Sequence, residues 1–115
     1  MSSPPLAPDD GPIDFEHLSR ITLGDPALEC EVLEMFVAQS AKLLDRIAGL
    51  PPEAGNLTHT LKGSARAIGA FAVAEAASRL EAALGEAGGA AAALDRLHEA
   101  VTEARGAIEA FLGRD

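Results

Sequence analysis

The sequence predicts an all-α fold: an antiparallel up-down four-helix bundle with a short additional N-terminal helix. Three observations predict it. Apolar residues recur every three or four positions in four long stretches, which is the period of a helix buried along one stripe. No stretch alternates apolar and polar residues as a half-buried strand would. The 115 residues include 24 alanines and four Phe, with no Trp or Tyr, a composition suited to closely packed helices. This length supports one core without a metal or a disulfide.

Residues 1–12 hold four of the seven prolines and two aspartates and read as a flexible arm. Residues 13–115 read as one domain. Ile13 to Ile21 forms the short helix, with Ile13, Phe15, Leu18 and Ile21 as its apolar members. Gly24-Asp25-Pro26 reads as stop, N-cap and first helical residue. The first long helix follows, with Leu28, Val32, Met35, Phe36, Leu43, Ile47 and Leu50 as its stripe, and Pro51-Pro52 ends it. The second long helix runs from about Glu53 to Ile68, where Gly69 supplies a C-terminal stop. The third covers roughly Phe71 to Ala87, with Val73, Ala76, Ala77, Leu80 and Leu84 inward, before Gly88-Gly89. The fourth runs from about Ala90 to Leu112, with Leu94, Leu97, Val101, Ala104, Ile108 and Phe111 inward. Short links between four amphipathic helices make consecutive helices antiparallel neighbours.

Eighteen acidic and nine Lys or Arg residues give a net charge of −9. A nucleic-acid binder needs a basic surface for phosphates, and an anionic membrane attracts cations, so both partners are disfavoured. No apolar run has the length of a membrane span, and the N-terminus lacks the basic start and apolar stretch of a signal peptide. A cytoplasmic protein is expected. Cys30 has no partner for an internal disulfide and reads as a small apolar residue in a reducing compartment.

The informative segment is residues 56–70, NLTHTLKGSARAIGA. At roughly 100° per residue, Lys62, Gly63 and Arg66 all fall within about 60° of His59 on the helical wheel. Leu57, Leu61, Ala65 and Ile68 fall on the other side and face the core. His59 therefore points outward, beside two cations and a glycine. Two features of this face require a reason. No acid occurs from Ala54 to Ala74, so a positive stripe lies on an acidic protein. Gly63 sits mid-helix, where it costs about 0.5–1 kcal/mol relative to alanine and removes bulk beside His59. Lys62 and Arg66 disfavour a proton on the imidazole, and a neutral imidazole is a nucleophile. The same cations attract an anion placed on it, and a transferring phosphoryl group fits that chemistry. The chain shows no glycine-rich phosphate loop, no metal-ligand cluster and no second nucleophile–base pair. The site reads as a carrier that borrows its catalysis.

His59-Thr60-Leu61-Lys62-Gly63-Ser64-Ala65, followed by Ile68-Gly69-Ala70, resembles the signature of histidine-containing phosphotransfer (HPt) domains. Ile13-Asp14 through Leu18, Gly24-Asp25 through Phe36, and the pair Leu80-Glu81 extend the likeness over about residues 13–112. The resemblance implies that His59 is the phospho-acceptor, reacting through Nε2, and that Lys62 holds the phosphoryl oxygens. It implies that Gly63 leaves room for the partner's active site. Glu81 occupies the position where the family often has Gln or Glu near the other ring nitrogen, so it would orient His59. Arg66 would add electrostatic support. Solvated helix positions are the other reading of Glu81 and Arg66. The implied function is relay of a phosphoryl group between a sensor kinase, or its receiver domain, and a response-regulator aspartate. The chain would be a phosphohistidine carrier, with no ATP site, no autokinase activity and no cofactor. Mg²⁺ belongs on the partner receiver. A monomer is expected.

Three rivals are weighed. A receiver- or kinase-binding module of the same fold that inhibits without transfer has no need of His59 together with Lys62. The dimerising phospho-acceptor bundle of a histidine kinase resembles His followed by Glu or Asp and then Pro; here Thr60 follows His59. A bundle enzyme or metal carrier calls for inward Glu and Glu-x-x-His sets, which are missing. His17 and His98 read as ordinary surface residues.

Overall fold

The computed structural model describes residues 11–86 and 88–113, and within these the regular structure is entirely helical. The elements are α1 (Phe15–Ile21), α2 (Pro26–Ile47), α3 (Ala54–Ile68), α4 (Phe71–Leu84) and α5 (Ala90–Phe111). The arm expected over residues 1–12 falls mostly on residues 1–10, outside the described set.

The caps follow from the sequence. Asp25 accepts hydrogen bonds from the backbone N–H groups of Ala27 and Leu28, and Pro26 opens α2. Asp14 caps α1 the same way, accepting from Glu16 and His17, so α1 starts two residues later than expected. Ile13 lies outside α1 yet is buried. α2 ends at Ile47 rather than at the prolines. Pro51 disfavours helical backbone at Leu50, which turns to φ +50° and donates its N–H to the Ile47 carbonyl. Leu50 is thus no part of the helical stripe. α4 stops at Leu84, where Gly85 forms the C-cap, short of the expected Ala87.

α3 packs between α2 and α4, α4 packs on α5, and a less extensive α2–α5 seam closes the bundle. The largest side chains with no exposure include Leu18, Leu33, Ile47, Leu61, Leu80, Leu97 and Ile108. Leu33 and Leu44 are buried α2 residues missing from the expected stripe, whereas Met35 and Leu28 are exposed. Leu33 is what slides the stripe: burying it with Phe36 and Ser40 turns Met35 outward. Phe111 is also exposed at its edge, although its ring stacks on Phe15 of α1 with centroids 4.6 Å apart.

α1 closes one end of the bundle. The Asp14 N–H donates to the Gly69 carbonyl at 2.9 Å, and His17 Nε2–H donates to the Ala67 carbonyl at 3.0 Å. The His17 ring also meets Phe71 edge-on, with centroids 5.3 Å apart. His17 is therefore a half-buried fastening and not an ordinary surface residue.

One buried group is unsatisfied. Thr58 in α3 is fully buried, and its hydroxyl has no hydrogen-bond partner among the described residues. Such a hydroxyl costs about 1–3 kcal/mol. Thr58→Val keeps the shape and removes the hydroxyl, so it is expected to raise stability by about 1 kcal/mol, read as a melting temperature a few degrees higher. A lower melting temperature would show that the hydroxyl is paired in solution.

Candidate functional site

α3 presents its outward face between the flanking helices, and His59 stands on it with 70% of its side chain exposed. Its Nδ1–H donates to Glu81 Oε2 of α4 at 3.0 Å. A carboxylate oxygen can only accept here, so the proton of the neutral ring resides on Nδ1. Nε2 then keeps its lone pair on the solvent side, as a nucleophile requires. Lys62, one turn along α3, sends its ammonium to Glu81 Oε1. One carboxylate thus holds the imidazole with one oxygen and the ammonium with the other.

This arrangement revises the expected electrostatics. Lys62 does not stand free on the outer face: only 15% of its side chain is exposed. α3 itself carries no acid, but α4 inserts one between its histidine and its lysine. The Lys62 ammonium holds the Glu81 carboxyl below its ordinary range; partial burial opposes this and His59 reinforces it. The lowered carboxyl contributes stability above the ordinary carboxylate pKa, and that contribution is lost as pH falls through the folded value.

The other residues singled out fall as follows. Gly63 lies one turn beyond His59, and a Cβ built on it meets no atom within 4 Å. Gly55, one turn before His59, is open in the same way. Nothing inside the molecule needs either glycine to be small. Arg66 is exposed and forms no ion pair among the described residues. His98 lies away from this site, on a shallow groove between α2 and α5 beside Asp45 and Arg105. Among the described residues no group of three or more His, Cys, Asp or Glu side chains is placed to hold a metal ion. Nor is any described helix long and apolar enough to cross a membrane.

The helical bundle thus presents one outward, tautomer-fixed imidazole beside a lysine. Comparison with known proteins makes the assignment. The Hpt domain model matches residues 31–110, and the chain belongs to the Hpt family. It is also similar to a solved structure, the histidine phosphotransferase ShpA from Caulobacter crescentus. The two are 33% identical, with a TM-score of 0.71, over 90% of this chain and 92% of that one. A search of the curated proteins gives no match.

The signal for His59, Lys62 and Gly63 is local, within five residues of one helix. The Lys62–Glu81 pair joins residues 19 apart on different helices, and no local pattern announces it.

Proposed function

We propose that this chain is a phosphorelay intermediate that carries a phosphoryl group on His59. The observation that carries the reading is the Nδ1–H···Glu81 hydrogen bond, which leaves Nε2 unprotonated on a side chain that is 70% exposed. The donor is a phospho-aspartate of a receiver domain, or a sensor kinase, and the acceptor is another receiver's aspartate. In the transfer, the Nε2 lone pair forms the N–P bond while the P–O bond to the donor carboxylate breaks and its electron pair stays with that carboxylate. The ring becomes cationic with its proton still on Nδ1, and Glu81 balances that charge. Lys62 neutralises the phosphoryl oxygens, and Arg66 adds positive potential at longer range. Mg²⁺ is supplied by the receiver. Family membership and likeness to a histidine phosphotransferase support the same reading. The inhibitory binding module remains the second reading only where transfer fails.

The test mixes the purified chain with a phosphorylated receiver and follows acid-labile phosphate on each partner. Transfer to the chain is expected; binding without transfer would establish the inhibitor instead. Gly63→Leu probes the docking geometry. Leucine at Gly63 raises helix propensity by about 0.8–1 kcal/mol. A Cβ at this position meets no atom within 4 Å, so the variant is expected to melt no lower than the parent. Its bulk one helical turn from His59 is expected to slow transfer about tenfold or more. Transfer at the parental rate would refute the clearance role.

A further inference from the structure

The resting position of Lys62 is on the wrong side of the imidazole for the work assigned to it. Its ammonium is bound to Glu81 Oε1, and Glu81 Oε2 is bound to Nδ1, so Lys62 sits at the Nδ1 side of the ring. A phosphoryl group arrives at Nε2, the opposite nitrogen. Lys62 cannot serve both partners in full. Its side chain has four methylenes and three donors, and such a side chain can swing between anions without moving the helix.

We propose that Glu81 holds Lys62 in reserve in the unphosphorylated protein and hands it to the phosphoryl group as His59 accepts it. The inference rests on the reading that His59 is the acceptor. Before transfer the carboxylate neutralises the ammonium. As the N–P bond forms, the ring gains a positive charge with its proton on Nδ1, while two negative charges arrive at Nε2. Lys62 moves to the phosphoryl oxygens, and Glu81, relieved of the ammonium, faces the imidazolium instead. Each anionic group keeps one cation throughout, and one of the phosphoryl group's two negative charges is left to solvent. Glu81 is therefore a positioning residue that acts through both His59 and Lys62. Among the described residues these two are the groups that ion-pair with it, one from each of two successive turns of α3.

The exchange makes a specific prediction. The Lys62–Glu81 pair exists in the unphosphorylated state alone, so the two residues must be coupled in the phosphorylation equilibrium. A double-mutant cycle reads that coupling. The parent chain, Glu81→Gln, Lys62→Ala and the double variant are each equilibrated with phosphoramidate and added ammonia, and occupancy is read by intact mass. In this probe the reagent's N–P bond breaks, ammonia leaves with its electron pair, and the N–P bond to His59 forms. Glutamine keeps an oxygen for Nδ1–H but loses the charge. The ratio of the Glu81→Gln equilibrium constant to the parental one is expected to be about fivefold larger with Lys62 present than in the Lys62→Ala background, the scale of one partly exposed ion pair. Melting temperatures and the ¹⁵N tautomer pattern of unphosphorylated His59 are measured for all four, because a merely structural role for Glu81 would move those and leave the cycle additive. An additive cycle would overturn the hand-over while leaving His59 as the acceptor. Phosphate found on no chain, or on a residue other than His59, would overturn both.

Discussion

Replacing His59 with glutamine is expected to abolish acid-labile phosphorylation of the chain, whereas His17→Gln and His98→Gln are expected to keep it. The three histidines differ by what surrounds each ring. His59 is 70% exposed and donates through Nδ1 to a carboxylate, so Nε2 is free to attack. His17 spends Nε2–H on the Ala67 carbonyl and packs against Phe71. Its reactive nitrogen is therefore occupied and its ring is wedged between α1 and the α3–α4 junction. His98 is exposed, but no carboxylate or lysine is bonded to it among the described residues. Glutamine keeps polarity at position 59 and removes only the ring, and on an exposed helix position it should change stability by less than about 0.5 kcal/mol. The measurement is transfer from a phosphorylated receiver, followed by acid lability of the product. Retained label in His59→Gln would place the acceptor elsewhere. His17→Gln is expected to label normally while melting lower, because it gives up the α1 fastening.

Gly69→Ala is expected to cost about 2–4 kcal/mol and to lower the melting temperature by roughly 10 °C. Gly69 ends α3 at φ +92°, a left-handed backbone that alanine adopts only at a cost of about 1–2 kcal/mol. Sterics add to this. A Cβ at Gly69 would lie 2.8 Å from the Asp14 carbonyl oxygen and 3.3 Å from the His17 ring. The first of these is backbone and cannot swing away, so α1 must shift, and the Asp14 N–H···Gly69 hydrogen bond is strained with it. Denaturant unfolding would measure the loss; a cost below 1 kcal/mol would show that α1 is not seated on this turn. Gly63, six residues earlier, offers the contrast. A Cβ there would meet no atom within 4 Å, so a defect of Gly63→Ala is expected in docking rather than in folding.

Most of the fold was legible because its signals are local. Asp25-Pro26 specifies the start of α2, Gly69 specifies the end of α3, and the three-to-four periodicity marks each buried face. What the periodicity missed on α2 has a physical cause. That helix has apolar residues on adjacent positions, at Val32-Leu33, Met35-Phe36 and Leu43-Leu44, and only tertiary packing decides that Leu33 and Phe36 are buried over their neighbours while Leu43 and Leu44 both are. The end of α2 was placed late because proline acts on the residue before it, and Leu50 answered by leaving the helix altogether. At the site, His59, Lys62 and Gly63 could be read from one helical face. The placement of Lys62 could not, since the wheel shows where a side chain leaves the backbone and not which neighbour's charge draws it inward.

The helix that carries His59 is held unequally at its two ends. Its C-terminus is closed by Gly69, whose own carbonyl and that of Ala67 are tied to α1. Its N-cap, Glu53, makes no side-chain cap hydrogen bond and lies nearly two helical turns before the imidazole. The C-terminal turn of α3 is thus fastened by hydrogen bonds from Asp14 and His17, and its first turn by the burial of Ala54, Leu57 and Thr58. The last turn of α3 and α1 are therefore held to one another, whereas the His59 ring is held from α4 through Glu81.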